Sequence, residues 1–322
     1  MLTQLFIICF LPTILAAEFI GIARSDVVRS KEMTLDAFNQ QLSNYWTSDK
    51  LKSAKSLDIS LSKTNSKSQP INNAVLTGPE SSIAGSLPTN NSTKSKIISP
   101  NGRQVYTTGR VFWQVGTTHY TCSAAVIVSK SGDMICTAGH CVYDTTSKTW
   151  YNQNNWVFVP GYNNGNTPYG IWPMRRVTAL VGWTSQSDYN YDVAMVAVST
   201  VNGQHLQAYV GSQGIGFNFP RSAFTYSFGY PSNINSGLTL QKCSDTTKNS
   251  AYTQNNYHGL GLACNMGPGC SGGPWLQNVV DSTGIGYVTS VNSFQITTVP
   301  NVINGPYFDM NIKNLYDNST SM

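Results

Sequence analysis

Charge is scarce in this chain: Asp, Glu, Lys and Arg together make up 11% of its 322 residues. No block of Lys and Arg alternates with aromatics, so the electrostatic footprint of a nucleic-acid binder is absent. After residue 17 no apolar run is long enough to cross a bilayer, which excludes a helical membrane anchor. Neither Cys-x-x-Cys nor His-x-x-x-His spacing occurs, and no metal or cofactor is expected. Glutamate stops early. Glu18, Glu32 and Glu80 are the three in the chain, whereas average usage would put roughly a dozen after residue 96. Lys and Arg exceed Asp and Glu only slightly, ten to seven over residues 1–96 and ten to eight over 97–322.

Residues 2–17 are an apolar run ending in small residues, Ile14-Leu15-Ala16-Ala17. That pattern predicts a signal peptide over 1–17 and a secreted, extracellular product. Cys9 would leave with it. Cys122, Cys136, Cys141, Cys243, Cys264 and Cys270 remain, an even number in an oxidising compartment, and six cysteines allow fifteen connectivities. Asn90, Asn91 and Asn318 open Asn-x-Ser/Thr triplets, which are common enough by chance to add little.

Three textures follow one another. From 18 to 46, Leu35, Phe38, Leu42 and Tyr45 recur at helical spacing. From 47 to 96, Ser, Lys and Asn dominate and little surface can be buried. Residues 18–96 therefore read as a prosegment with a partly helical start and a flexible, cleavable linker, with a tail that stays attached as the bland alternative. From 97 to 322, short runs rich in Val, Ile, Thr and aromatics are broken by Gly, Asn and Pro. Val111–Val115, Ala124–Val128, Val193–Val198 and Gly286–Val291 are examples, and such runs predict an all-β barrel or sandwich. A short helix is expected from Asp309 to Tyr316.

Two segments carry chemistry. Gly269-Cys270-Ser271-Gly272-Gly273-Pro274 sets a serine in a glycine frame, and Thr137-Ala138-Gly139-His140-Cys141 sets a histidine beside a cysteine. A serine hydroxyl is a poor nucleophile until a base takes its proton, and imidazole suits that task near neutral pH. Glycines let backbone N–H groups crowd a developing oxyanion where a side chain would collide.

The order His140, an aspartate, then Ser271 resembles the chymotrypsin/trypsin-fold serine peptidases. Val159-Pro160-Gly161-Tyr162 and Pro168-Tyr169-Gly170 add a likeness to their secreted, glutamyl-endopeptidase-like branch. The likeness spans about residues 97 to 300. It implies two six-stranded antiparallel barrels, about 97–200 and 201–322, with catalysis between them. Asp192, directly before the apolar run Val193–Val198, is the candidate orienter of His140. Asp188 is separated from it by the polar pair Tyr189-Asn190, which reads as a solvated loop, and Asp144 lies too near His140 in sequence.

Cys270 is a rival nucleophile. In this fold the oxyanion is bound by the N–H of the nucleophile and of the residue two before it. Ser271 pairs with Gly269 in that role, whereas Cys270 would need the N–H that Pro268 lacks. A cysteine at 270 also departs from trypsin and chymotrypsin, where an aspartate pairs with the new N-terminus. Cleavage near Lys96-Ile97 is expected to work without that switch.

The resemblance implies further a disulfide Cys122–Cys141 bracing the histidine loop and a second, Cys243–Cys264. The state of Cys136 and Cys270 stays open. Substrate is expected to add as a strand along Thr289, Ser290, Val291 and Asn292. Glutamate-specific relatives carry a histidine near this register, where Thr289 and Ser290 stand, yet the glutamate-free region favours glutamate specificity, so the preference is open. The implied function is a serine endopeptidase made as a proenzyme, monomeric, acting on polypeptides, with its own prosegment as partner. A catalytically dead binding module would have lost a triad residue or an oxyanion glycine. An esterase would favour a Gly-x-Ser-x-Gly elbow with histidine after serine.

Overall fold

The computed structural model describes residues 18–23, 34–57, 59–62, 78–89 and 104–322. The signal sequence, the Lys96-Ile97 junction and the triplets at Asn90 and Asn91 lie outside them. The N-terminal part contributes β1 (Phe19–Ala23), α1 (Leu35–Tyr45), α2 (Ser48–Ser53), β2 (Lys55–Ser56), β3 (Ser60–Leu61) and β4 (Ser81–Ile83). The first half of the β region holds α3 (Gln104–Thr107), β5 (Thr108–Val115), β6 (Thr118–Val126), β7 (Met134–Thr137), β8 (Tyr143–Asp144) and β9 (Thr149–Trp150). It continues through β10 (Val157–Pro160), β11 (Trp172–Leu180), α4 (Val181–Gln186) and β12 (Ala194–Val198). The second half comprises α5 (Leu206–Val210), β13 (Gly214–Phe217), β14 (Phe224–Gly229), β15 (Gln241–Thr246), β16 (Lys248–Asn249) and β17 (Leu260–Ala263). It ends with β18 (Pro274–Val280), β19 (Ile285–Val291), β20 (Phe294–Ile296), β21 (Val299–Gly305) and α6 (Met310–Ser319).

In the first half β11, β10, β5, β6, β7 and β12 pair in that order, and β12 pairs back onto β11. The result is a closed antiparallel six-stranded barrel. All five residues of β12, Ala194 to Val198, are buried, because the barrel interior takes one face and flanking elements cover the other. The second half forms a sheet ordered β15-β14-β18-β19-β13-β4 and another ordered β16-β17-β21-β20-β3. They are joined where β19 runs into β20 through Asn292 and Ser293, and where Cys243 of β15 meets Cys264 just after β17.

The closing helix α6 lies against β11, β12 and β13, burying Ile312, Leu315 and Tyr316. Asp309 caps it, accepting from the Asn311 and Ile312 N–H groups, the expected use of aspartate at a helix start. No helix among the described residues is long and apolar enough to cross a membrane.

The stretch 47–96 departs from the expected linker. Its described residues include α2, with Leu51 fully buried, and the strands β2, β3 and β4, which pair with β6, β20 and β13. Strand addition is held by main-chain hydrogen bonds, so a polar, aromatic-poor composition does not prevent it. Ahead of these, β1 extends the first barrel antiparallel to β11. Phe38, Leu42 and Trp46 pack with Leu51 onto Phe112, Val157 and Val159.

Candidate active site

His140 sits in the 3-10 turn Gly139–Cys141 directly after β7. Its main-chain N–H donates to Asp192 Oδ1 and its Nδ1 lies against Asp192 Oδ2, both at 2.8 Å. Asp192 closes the 3-10 turn Tyr189–Tyr191 and its side chain is fully buried. A third donor, the Ser293 hydroxyl, reaches Asp192 Oδ2 at 2.5 Å. A carboxylate can only accept, so the proton of this contact sits on Nδ1. His140 Nε2 is buried without a hydrogen-bond partner among the described residues.

Asp188 and Asp144 are engaged elsewhere. Asp188 caps the turn through the Asn190 N–H, and burial raises its pKa. Asp144 accepts from Thr146 N–H and the Ser147 hydroxyl. Tyr189-Asn190 is packed rather than solvated. Tyr189 stands edge-on to Trp183 and Phe294, and Asn190 donates to Asn256 O and accepts from His258 N–H.

The Ser271 loop is built from tight turns. The Cys270 N–H donates to Gly267 O, and Gly269 has φ +95°, a backbone that glycine tolerates. Gly272 has φ +78°, and a Cβ there would lie 2.1 Å from Thr137 Oγ1 and 2.4 Å from Ser123 O. Cross-barrel bonds clamp this loop. Ser123 N–H donates to Ser271 O at 2.7 Å, and the Ser123 hydroxyl donates to Gly269 O at 2.8 Å. The Ser271 carbonyl also lies 3.8 Å from Cys141 Sγ, beside His140. The main-chain N–H groups of Gly269 and Ser271 donate to no acceptor among the described residues.

Cys270 directs its Sγ to Met266 O at 3.9 Å within a separate apolar cluster, while the residue also lines the groove beside Ser271. Cys122 and Cys141 are joined by a disulfide, as are Cys243 and Cys264. Cys136 and Cys270 are buried thiols in different clusters. Cys122, His140 and Cys141 bring potential ligand atoms within 4.8 Å. The two sulfurs are bonded to each other, so neither is the thiolate that zinc requires.

The expected substrate strand runs from Thr289 to Asn292. Thr289, Ser290 and Val291 lie inside β19, buried against β18, and the Ser290 hydroxyl donates to Pro306 O. Asn292 does reach the groove beside Ser271, whose other walls include Pro268, Ser293, Phe294 and Gln295. Asn292 is also a tie. It accepts from the Ser227 hydroxyl and Trp275 Nε1, and donates to Phe228 O and Cys270 O. Sequence reasoning missed Ser123, Ser293, Phe294 and Gln295. Only the break in strand patterning at Asn292-Ser293 marks the bend that brings the last three to the groove.

No protein-family model and no curated protein sequence matches the chain. Solved structures do. The protease Anisep from Arthrobacter nicotinovorans is 33% identical, over 67% of this chain and 96% of that one, with a TM-score of 0.61. The thermostable serine protease AL20 from an extremophilic microorganism is 29% identical, over 68% and 99%, with a TM-score of 0.62. A Glu endopeptidase shares the fold at 15% identity, over 77% and 100%, with a TM-score of 0.56. The chain belongs to the chymotrypsin-fold serine peptidases. It is a serine endopeptidase by class, a hydrolase acting on polypeptides.

Proposed function

We propose that the protein is a secreted endopeptidase working through an acyl-enzyme, with Ser271 as nucleophile, His140 as base and Asp192 as its orienter. The observation that carries this reading is the histidine itself. Its Nδ1 is bound to a buried carboxylate, its Nε2 is buried without a hydrogen-bond partner among the described residues, and the neighbouring Cys141 Sγ lies 3.8 Å from the Ser271 carbonyl.

In the first step Ser271 Oγ attacks the substrate carbonyl as its proton passes to His140 Nε2. Asp192 stabilises the imidazolium without taking the proton. The oxyanion is received by the N–H groups of Gly269 and Ser271, each worth about 10²- to 10³-fold in rate. The tetrahedral intermediate collapses, and the leaving amine takes the proton from His140. Water then repeats the sequence, and the ester to Ser271 breaks.

Secretion rests on the apolar run 2–17. The proenzyme reading takes 1–17 as signal, 18–96 as prosegment and 97–322 as peptidase, with cleavage near Lys96-Ile97. A serine-directed fluorophosphonate should label Ser271 and abolish hydrolysis, while iodoacetamide leaves activity intact. Ser271→Ala should lower kcat at least about 10³-fold. Full proteolysis by that variant would refute the assignment.

A further inference from the structure

The groove beside Ser271 already has an occupant. The chain passes β6 first, where Ser56 pairs with Thr121 and the Leu57 N–H donates to Thr121 O at 3.3 Å. Ser56 rests on Gly269, close enough that a Cβ on that glycine would meet Ser56 Oγ at 2.5 Å. Further on, β3 lies against β20, with Gln295 N–H donating to Ile59 O at 3.1 Å and Thr297 N–H to Leu61 O at 3.0 Å. Ile59 and Leu61 turn inward and Ser60 outward, the alternation of a strand with one buried face.

Ile59 walls the cavity bounded by Gly267, Pro268, Ser271, Asn292 and Gln295, and about 10 Å³ is left free. That is roughly the room of one water molecule, and no substrate side chain fits beside it. Among the described residues, the lining of this cavity contains no Lys, Arg, His, Asp or Glu. Beyond it, Ile59 and Leu61 pack on Tyr252, Tyr257, Phe294 and Ile296. An acidic or basic side chain entering the cavity would lose hydration and meet no charged group in its lining, which is strongly unfavourable. An aliphatic one gains by burial.

The direction matters as much as the side chain. β3 runs parallel to β20. Reversing a strand end for end exchanges the positions of its carbonyls and N–H groups relative to its side chains. With a side chain in the pocket, only one of the two senses can therefore aim the attached carbonyl at Gly269 and Ser271. Among the described residues no carbonyl of this segment accepts from those two N–H groups.

Resting on the peptidase reading above, we infer that Ile59 is a resident stand-in for the substrate side chain. The pocket beside Ser271 selects uncharged aliphatic residues before the scissile bond, and the parallel segment keeps it shut without being cut. The glutamate-free region is then unrelated to specificity.

The test uses the full chain as wild type, Ile59→Ala and Ile59→Asp, each followed by fluorophosphonate labelling and by hydrolysis of quenched peptides. The peptides differ only in Leu, Ile, Glu or Lys before the scissile bond. Both variants should label at least tenfold faster than wild type while remaining full length. Both should cleave the Leu or Ile peptide at least tenfold faster than the Glu or Lys peptide. Equal labelling of all three proteins overturns the resident plug, and preference for Glu or Lys overturns the pocket assignment. No labelling of any, with Ile59→Ala folded by near-UV circular dichroism, overturns the peptidase reading itself. If Ile59→Asp fails to fold, the Ile59→Ala comparison decides alone.

Discussion

Ser293 Oγ, from the second half of the β region, donates to Asp192 Oδ2 of the first half across 2.5 Å. The carboxylate bound to His140 Nδ1 is thereby tied to the strand bend that walls the groove. Hydrogen bonds to a charged group are worth about 1.5–3 kcal/mol. Ser293→Ala should lower stability by about that amount and reduce kcat/KM roughly 3- to 30-fold. Melting curves and steady-state kinetics check both, and an unchanged kcat/KM would show that the other two donors suffice for Asp192.

Gly272→Ala should be poorly tolerated. The position has φ +78°, and the new methyl would enter space held by Thr137 Oγ1, Ser123 O and the Ala138 N–H. The hydroxyl can rotate away but the backbone groups cannot. A loss of at least about 3 kcal/mol is expected, the size associated with overpacking plus backbone strain. Urea denaturation measures it, and a wild-type midpoint would contradict the geometry.

Asn292→Ala removes four hydrogen bonds from a fully buried side chain. The Ser227 hydroxyl, the Trp275 indole N–H and two carbonyls lose partners together. At about 1 kcal/mol or more for each orphaned group, the cost is about 3–5 kcal/mol. Part of it should appear as lost activity at temperatures where the variant is still folded, because the Cys270 carbonyl belongs to the Ser271 loop. An active variant with a normal melting temperature would argue that the network is dispensable.

Cys136, on β7 between β6 and β12, is completely buried, and burial pushes its thiol well above the ordinary range. Alkylation needs the thiolate. Native protein at pH 8 should leave Cys136 unmodified by iodoacetamide, with reaction following on denaturation. Mass mapping of the peptide distinguishes the two states, and rapid native alkylation would mean that the barrel opens locally.

His258 carries a pH signature of folding. Burial first, with Arg221 adding, holds its pKa below the ordinary 6.5. As pH falls through 6.5, the unfolded chain takes up a proton that the folded chain resists. Stability supplied by the neutral imidazole is present above that value and lost below it. His258→Gln should therefore lose less stability than wild type between pH 7.5 and about 5.5. Parallel losses in the two proteins would remove His258 from the account. Asp188, whose pKa burial raises and His258 lowers, acts in the opposite sense.

Much of the site was legible because its chemistry is written in short segments. The glycine frame around Ser271 announces tight turns, and the structure uses Gly269 and Gly272 at positive φ. Apolar runs such as Val193–Val198 mark barrel strands because both of their faces are covered. The stretch 47–96 was misleading for the opposite reason. Composition reports how much apolar surface a segment can bury, but a sheet can hold a polar segment through its backbone, and the segments carrying β2, β3 and β4 add a few anchors, Leu57, Ile59, Leu61 and Ile83, to such pairing. Of the expected stretch Thr289–Asn292, Asn292 lines the groove together with Ser293, Phe294 and Gln295, because a bend in a strand depends on what packs on each side of it.

By itself, the order of residues determined a β-rich peptidase, the loops that carry His140 and Ser271, and the helix at the end, since each depends on local pattern and turn chemistry. Only the tertiary structure decided which groups meet across the two halves. Ser123 holding the Ser271 loop, Ser293 holding Asp192 and Ile59 lying in the groove are contacts between residues more than 100 apart in sequence, and no local preference encodes them. They follow from how the sheets close and pack, which is a property of the whole chain.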